Sequence, residues 1–452
     1  MRGKLSLFLF TLLIFVVDTG CGGRPTLNRP DISSSTNPVA VQPNAPPADS
    51  SGSASRTNIR HIVVMLEENH SFDSYLGQLG AYRAANGLPD DVDGLPLTAT
   101  LYDTVGNPVH PFHSGTVCTE NLSPSWNESH IDVDGGRMDK FMKTSTSVPS
   151  VIDPTGTRAM GYYDWTDFPY YYALASTFGT SDRFFSALQA NTLPNRMYLF
   201  AASSFGHIYP DKPPAGGWTH PTIFDHLDKA KVSWRYYYQD TTESSVYLKQ
   251  WATYARDADH VFPISRWYND IQDESTLPSV IFIDRAAMDG LDEHPGHNLQ
   301  LGAANTAKIV NSLLQSPSWA SSVFVLTYDE GGGFYDHVPP VPVAAPDNIS
   351  PMLHKGDQPG DFAHSGFRVP LFVISPWVKP HYISHVNRDV TSILRLIEVR
   401  FNVAPLTVRD AAADDMTEFF DFSSPALLNP PTLPVQPTSG VCNLALEKAP
   451  GI

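Results

Sequence analysis

Apolar, β-branched runs that end abruptly in acidic residues set the pattern of this chain. Val63-Val64-Met65-Leu66 runs into Glu67-Glu68-Asn69-His70-Ser71-Phe72-Asp73. Ser322 to Tyr328 runs likewise into Asp329-Glu330-Gly331-Gly332-Gly333, with Asp336-His337 just beyond. Each run predicts a buried strand that delivers polar groups at its carboxyl end. Shorter runs at Val280 to Ile283 and Leu371 to Ile374 predict further strands. Ala303, Ala307, Val310 and Leu314 recur at three or four residues, as do Ile393, Ile397 and Phe401, and each set predicts a helix with one buried face. Strand alternating with helix predicts an α/β fold, whose ligands bind in the crevice beyond the strand ends.

Two strands ending in Glu68, Asn69, Asp329 and Glu330 bring together hard oxygen ligands of the kind a divalent cation takes, and carboxylates crowded there without a cation would repel one another. The plainer reading of either stretch alone is a strand followed by a polar turn. A third element, Asn191-Thr192-Leu193-Pro194-Asn195-Arg196, leads into a helix-compatible run. Proline fits a first helical turn, which places Thr192 at or just before a helix start, among free backbone donors. Thr192 is then either a nucleophile facing a phosphate or a helix N-cap, and Arg196 either a phosphate fork or a salt-bridge partner.

With these motifs in view, the chain resembles the bacterial phosphoesterase family of phospholipases C and acid phosphatases. The resemblance rests on E-N-x-S-F-D at Glu68 to Asp73, T-x-P-N-R at Thr192 to Arg196, and Asp329-Glu330 with Asp336-His337. It extends through Met160-Gly161-Tyr162-Tyr163-Asp164, Glu293-His294-Pro295, Arg368-Val369-Pro370, Thr391-Ser392-Ile393-Leu394-Arg395 and Pro405 to Asp410, from about Ile59 to Phe422. It implies an alkaline-phosphatase-like α/β/α sandwich with a mostly parallel central sheet. It also implies a metal site of Glu68, Asn69, Asp329 and Glu330, with calcium, magnesium, manganese or zinc as the candidate ions, and Thr192 as nucleophile. Departures from the pattern are Leu193, Ser74 to Gly77, and Val390 in Asp389-Val390-Thr391-Ser392, where the family has a histidine; the last bears on head-group preference.

The resemblance favours His294, in Glu293-His294-Pro295-Gly296-His297, and His130, in Ser125-Trp126-Asn127-Glu128-Ser129-His130, as the groups that protonate a leaving oxygen or contact phosphate. Asn195, Arg196 and His337 are the expected substrate contacts, although a lone loop histidine is more often simply solvated. Asp73 is expected to brace its loop. The expected reaction is hydrolysis of phosphate esters in two displacements through a phosphothreonine, on a phospholipase C-like diester or, alternatively, on phosphomonoesters as an acid phosphatase. Thr192 counts against a sulfatase, whose aldehyde nucleophile a threonine cannot form. A non-catalytic, phosphate-binding surface lipoprotein is the alternative from another class, and retention of every expected ligand counts against it.

Composition narrows the partners. The chain has 452 residues, 42% of them hydrophobic and 17% charged, enough for a substantial core, and a net charge of -17 gives no basic stripe for nucleic acid. Arg2 and Lys4, the apolar run Leu5 to Val17 and Asp18-Thr19-Gly20-Cys21 form an export signal, too short to span a membrane, with Cys21 placed like a lipoprotein site. The expected organisation is 1–21 signal, 22–57 flexible tether, 58–424 catalytic domain and 425–452 irregular tail. The protein is thus expected to be exported and held to the membrane through Cys21, or else secreted. Its substrate is a phosphate ester, with phospholipid among the candidates. With no further module after the last motif, soluble esters are expected to outpace packed bilayers. Two readings stand for the remaining Cys118 and Cys442: a disulfide or two unpaired thiols.

Overall fold

The computed structural model describes residues 56–240 and 247–451. The expected export signal, Cys21 and all but the last two residues of the expected tether lie outside the described residues.

Eight strands form one sheet: His61–Glu67 (β1), Gly179–Ser181 (β2), Trp234–Tyr238 (β3), Val261–Pro263 (β4), Val280–Ile283 (β5), Ser322–Tyr328 (β6), Leu371–Ile374 (β7) and Tyr382–Ser384 (β8). Their order is β8-β2-β7-β6-β1-β5-β3-β4. The run β6-β1-β5-β3-β4 is parallel throughout. β7 pairs antiparallel with both of its neighbours, and β8 is parallel to β2, so β7 alone runs against the rest. The expected strand at Leu371–Ile374 is therefore present, but it enters the sheet reversed. All seven residues of β1 and of β6 are buried. Strands covered on both faces lack the alternation of a half-exposed strand, which is why both appear as continuous apolar runs.

Register assigns the faces. Val64 pairs with Phe282, whereas the next residue, Met65, pairs with Leu326 and through it with Phe372, so Phe282 and Phe372 lie on opposite sides of the sheet. Phe282 packs against Phe200 of the helix Thr192–Ala201, ring centroids 6.1 Å apart. Phe372 packs against Tyr171 of the helix Pro169–Thr177 at 5.2 Å. On that second side Thr306, from the helix Leu299–Leu314, donates to Glu67 of β1 (3.0 Å). Helices on both faces of a mostly parallel sheet give a three-layer α/β/α arrangement.

The predicted helix faces are the buried ones. Ala303, Ala307, Val310 and Leu314 lie in the core of Leu299–Leu314, and Asn298 caps that helix by accepting from the amides of Gln300 and Leu301. Ile393 and Ile397 are buried in the helix Thr391–Phe401. Cys118 and Cys442 are disulfide-bonded across a separation of 324 residues. The bridge ties the tail to the segment before the Trp126–Val133 helix. Among the described residues, no helix is long and apolar enough to cross a membrane.

Candidate active site

The carboxyl ends of β1, β5 and β6 meet at one edge of the sheet. β1 and β6 are in register from His61 with Ser322 to Glu67 with Tyr328, so Glu68-Asn69 and Asp329-Glu330 leave the sheet side by side. Two amides hold them there: Asp329 donates to the Glu67 carbonyl (3.2 Å) and Glu68 to that of Asp292 (3.0 Å). Gly332, at φ +69°, is required for the approach, because a Cβ there would fall 2.0 Å from the Asn69 carbonyl oxygen.

The helix Thr192–Ala201 begins at this edge. Thr192 is its first residue and Asn191 its N-cap. Asn195 is buried and spends its side chain on the preceding loop, accepting from the Leu188 amide (3.1 Å) and donating to the Ala190 and Asn191 carbonyls (2.6 and 3.2 Å). It shapes the turn that carries Thr192. One turn into the helix, Arg196 donates from Nε to Asp329 (3.1 Å) and from one terminal nitrogen to Glu68 (3.0 Å) and to the Leu66 carbonyl (3.2 Å). Its predicted role as a substrate contact and its alternative as a salt-bridge partner divide here: it is buried and engaged with carboxylates.

Thr192 opens onto a cleft of about 340 Å³ that it shares with Asn191, Asp211, Lys212, Tyr247 and Gln250. Tyr247 connects the cleft to the strand ends, since its hydroxyl donates to Glu68 (3.1 Å). Arg285, just past β5, donates to the other Glu68 oxygen (2.9 Å) and to Asp292 (2.8 Å). The guanidiniums of Arg196 and Arg285 lie 4.5 and 5.0 Å from the Tyr247 ring centroid.

Three oxygens at the strand ends have no hydrogen-bond partner: Asn69 Oδ1, Asp329 Oδ1 and Glu330 Oε1, all buried. Burial first, and then the charge of Glu68, pushes the Asp329 carboxyl up to about 7. Burial and then Asp329 push Glu330 well above its ordinary range. Unpartnered, desolvated oxygens on Asn69, Asp329 and Glu330 are of the kind an oxygen-ligated cation would satisfy, whereas both Glu68 oxygens are already engaged, by Arg196 and Tyr247 and by Arg285.

The three expected histidines fall in different places. His294 is half-buried; its Nδ1 donates to the Pro295 carbonyl (2.7 Å) and its amide to Asp292 (3.3 Å), which links it through Arg285 to Glu68. His130 donates from Nδ1 to the Trp126 carbonyl (2.7 Å) and stacks on Trp126 at 4.0 Å; burial holds its imidazole below its ordinary value. From the same helix Asn127 donates to Tyr209 (3.3 Å), the residue before Pro210 of the cleft lining. His337 is held by Asp73 (2.7 Å) and Asp93 (3.1 Å). Asp73 and Asp336 also grip the buried Arg368 (2.7 and 2.9 Å), so Asp73 braces this loop. Asp73, Asp336 and His337 lie close enough to share an ion, but Arg368 already supplies the positive charge.

Tyr247, Gln250, Arg285 and Asp292 were not singled out from the sequence. Arg285 follows a predicted strand, so the strand-end argument that found Asp329 reaches it. Tyr247 and Gln250 carry no comparable signal.

Residues 59–404 match the phosphoesterase family. The chain is 30% identical over 429 residues to phospholipase C B of Mycobacterium tuberculosis, covering 83% of this chain and 80% of that protein. It is 31% identical over 435 residues to the hemolytic phospholipase C of Pseudomonas aeruginosa, covering 81% of this chain but 56% of that protein, little more than half its length. A solved structure of a protein in the alkaline phosphatase superfamily from Vibrio parahaemolyticus aligns over 76% of this chain and 78% of that one, with 9% identity and a TM-score of 0.37, a likeness too distant to add to the assignment. The extent of the family match, over three quarters of the sequence and across every strand of the sheet, shows that this chain belongs to the phosphoesterase family.

Proposed function

We propose that the protein is a metal-dependent phosphoesterase of phospholipase C type, with Thr192 as its nucleophile. The observation that carries this reading is the set of three unpartnered buried oxygens, from Asn69, Asp329 and Glu330, at strand ends that Arg196 and the Glu68–Tyr247 contact join to the helix start and cleft of Thr192. Glu68, Asn69, Asp329 and Glu330 would hold the ion, which when bound would lower the pKa of a nearby hydroxyl and withdraw charge from the phosphate. Thr192 passes its hydroxyl proton to water and attacks phosphorus through Oγ, the P–O bond to the alcohol breaks, and the departing oxygen takes a proton. Of the two expected histidines, His294 is the better placed to supply it, from Nε2, since Nδ1 is committed to the Pro295 carbonyl. Water then cleaves the phosphothreonine and regenerates the hydroxyl. Asn195 fixes the turn that aims Thr192, and Arg196 and Arg285 set the charge around Glu68.

The relatives named as phospholipases C support a diester substrate, with phospholipid within its range. Assays of the purified protein on a phosphomonoester, a soluble phosphodiester and a choline phospholipid, with and without chelator, test the reading. Ester hydrolysis lost on chelation and restored by a divalent cation is the expected result; full activity in protein shown to be metal-free would overturn it.

A further inference from the structure

Every position of residues 348–356 except Pro351 is exposed, and three large apolar side chains stand among them: Ile349, Met352 and Leu353, at 44, 44 and 43% accessibility. Val408, first residue of the helix Val408–Ala412, adds a fourth at 60%. Ile349 and Val408 line one open depression of about 570 Å³, together with Phe205, Pro346, Pro405 and Leu406. The loop backbone is pinned in place. The Ile349 amide donates to Asp347 (2.8 Å), the Met352 amide to the Gly206 carbonyl (2.9 Å) and the His354 amide to Asp357 (2.6 Å). A loop fixed with such side chains in water marks a contact surface for an apolar partner.

Position and charge identify that partner. Tyr209 stacks on His354 with ring centroids 4.9 Å apart and donates to Asp357 (2.6 Å); the residues that follow it, Pro210 to Pro213, line the Thr192 cleft. An ester drawn from a membrane under this loop would therefore arrive beside Thr192. Lys355 in the loop and Lys212 in the cleft lining are both exposed, and neither forms an ion pair among the described residues. The neighbouring carboxylates are engaged by the protein itself: Asp347 accepts from Ser203 (2.7 Å), Asp357 from Tyr209 and Asn127 (2.6 and 3.0 Å), and Asp211 pairs with His207 (2.7 Å). Free lysines beside exposed apolar side chains match the anionic head groups and acyl boundary of a bilayer. A second copy of the chain packed on the same patch would instead set these lysines against their own counterparts.

We propose that residues 349–355 form a bilayer-docking loop, which seats Ile349, Met352 and Leu353 in the lipid interface, sets Lys355 and Lys212 against anionic head groups, and so presents the Thr192 cleft to membrane phosphate esters. Cleavage of those esters rests on the phosphoesterase reading; the docking itself does not. A surface of this kind gives packed bilayers a hold on the enzyme that the expected preference for soluble esters leaves out.

Cosedimentation of the full chain with vesicles of digalactosyl diglyceride, with or without the anionic sulfoquinovosyl diglyceride, reads docking on membranes that contain no phosphate ester. Wild type is expected to bind both, the anionic vesicles more tightly. Replacing Met352→Ser and Leu353→Ser together should weaken binding to both by about tenfold or more. Lys355→Gln should weaken binding about fivefold on the anionic vesicles alone, the share of one lysine near a charged membrane. On phosphatidylcholine vesicles the double variant should be slower by a similar factor, with kcat/KM on soluble 4-nitrophenyl phosphocholine within about twofold of wild type, which shows fold and cleft to be intact. Wild type that sediments with neither vesicle, or a double variant that binds as wild type does, overturns the proposal. So does a wild type that is dimeric in solution and becomes monomeric in the double variant, which would give the surface to a second copy. Should the double variant fail to fold, Lys355→Gln decides: unchanged binding to anionic vesicles overturns the proposal. Loss of vesicle binding in the variants, with no hydrolysis of either ester by wild type, would uphold the docking loop and overturn the phosphoesterase reading.

Discussion

Arg196 donates from Nε to Asp329 Oδ2 at 3.1 Å, joining the helix that begins at Thr192 to the strand end that carries half of the expected metal ligands. Both groups are buried, and Arg196 also serves Glu68 from the facing strand end. One guanidinium thus aligns the nucleophile-bearing helix with two strands, and a mutation there is felt at all three.

Arg196→Met should therefore destabilise the fold by roughly 3 to 5 kcal/mol, since it leaves the buried Asp329 without its ion-pair partner and Glu68 with Arg285 alone. Excess divalent cation should recover part of the loss, because it can neutralise the same carboxylates. Thermal unfolding with and without added cation reads both effects.

Replacing Thr192 with Val keeps the shape of the first helical turn and removes the oxygen. Turnover should fall by about three orders of magnitude or more, with Tm close to wild type, because Thr192 does not serve as the N-cap. A variant that keeps a tenth of wild-type turnover would reduce Thr192 to a helix start.

Glu68→Gln and Asp329→Asn should each lower bound metal and abolish ester hydrolysis while folding persists. Metal content by elemental analysis, taken alongside activity, separates loss of the ion from loss of the fold.

Stability should depend on pH through Glu398, which is buried beside Asp410. Burial first, and then the hydrogen bond and charge of Asp410, push its carboxyl from 4.5 up to about 9. The folded chain keeps a proton that the unfolded chain releases near pH 4.5, so this stabilising contribution is full below that pH and is lost as pH rises through 9. Glu398→Gln keeps a donor toward Asp410 without a titrating proton. It should match wild type near pH 4 and exceed it by roughly 1 to 4 kcal/mol at pH 8, as denaturant unfolding at the two pH values would show.

Reduction of the Cys118–Cys442 bridge, or Cys442→Ala, should lower stability by about 2 to 4 kcal/mol. The bridge closes a very long loop but touches none of the residues around Thr192, so kcat on a soluble ester should change less than twofold. Parallel unfolding and kinetic runs with and without reductant decide it.

What the sequence by itself determined is local. Continuous apolar runs located β1, β5, β6 and β7, because strands covered on both faces need no polar alternation. Spacings of three and four located the buried faces of Leu299–Leu314 and Thr391–Phe401. The acidic residues that follow β1 and β6 were visible because strand chemistry and ligand chemistry adjoin in the chain. Tertiary structure alone decided the rest. Leu371–Ile374 is equally apolar whichever way it runs, since parallel and antiparallel ladders bury the same side chains, so its reversal left no mark. Arg196 is a solvated phosphate fork or a buried counter-ion depending on whether Glu68 and Asp329 reach it, and they lie more than a hundred residues away on either side. Tyr247 and Gln250 join the cleft from a distant segment with no periodicity to announce them, and Cys118 meets Cys442 only because the tail folds back over the domain. Pattern reports which side chains leave water; which partner each then meets is settled by the packing of the whole chain.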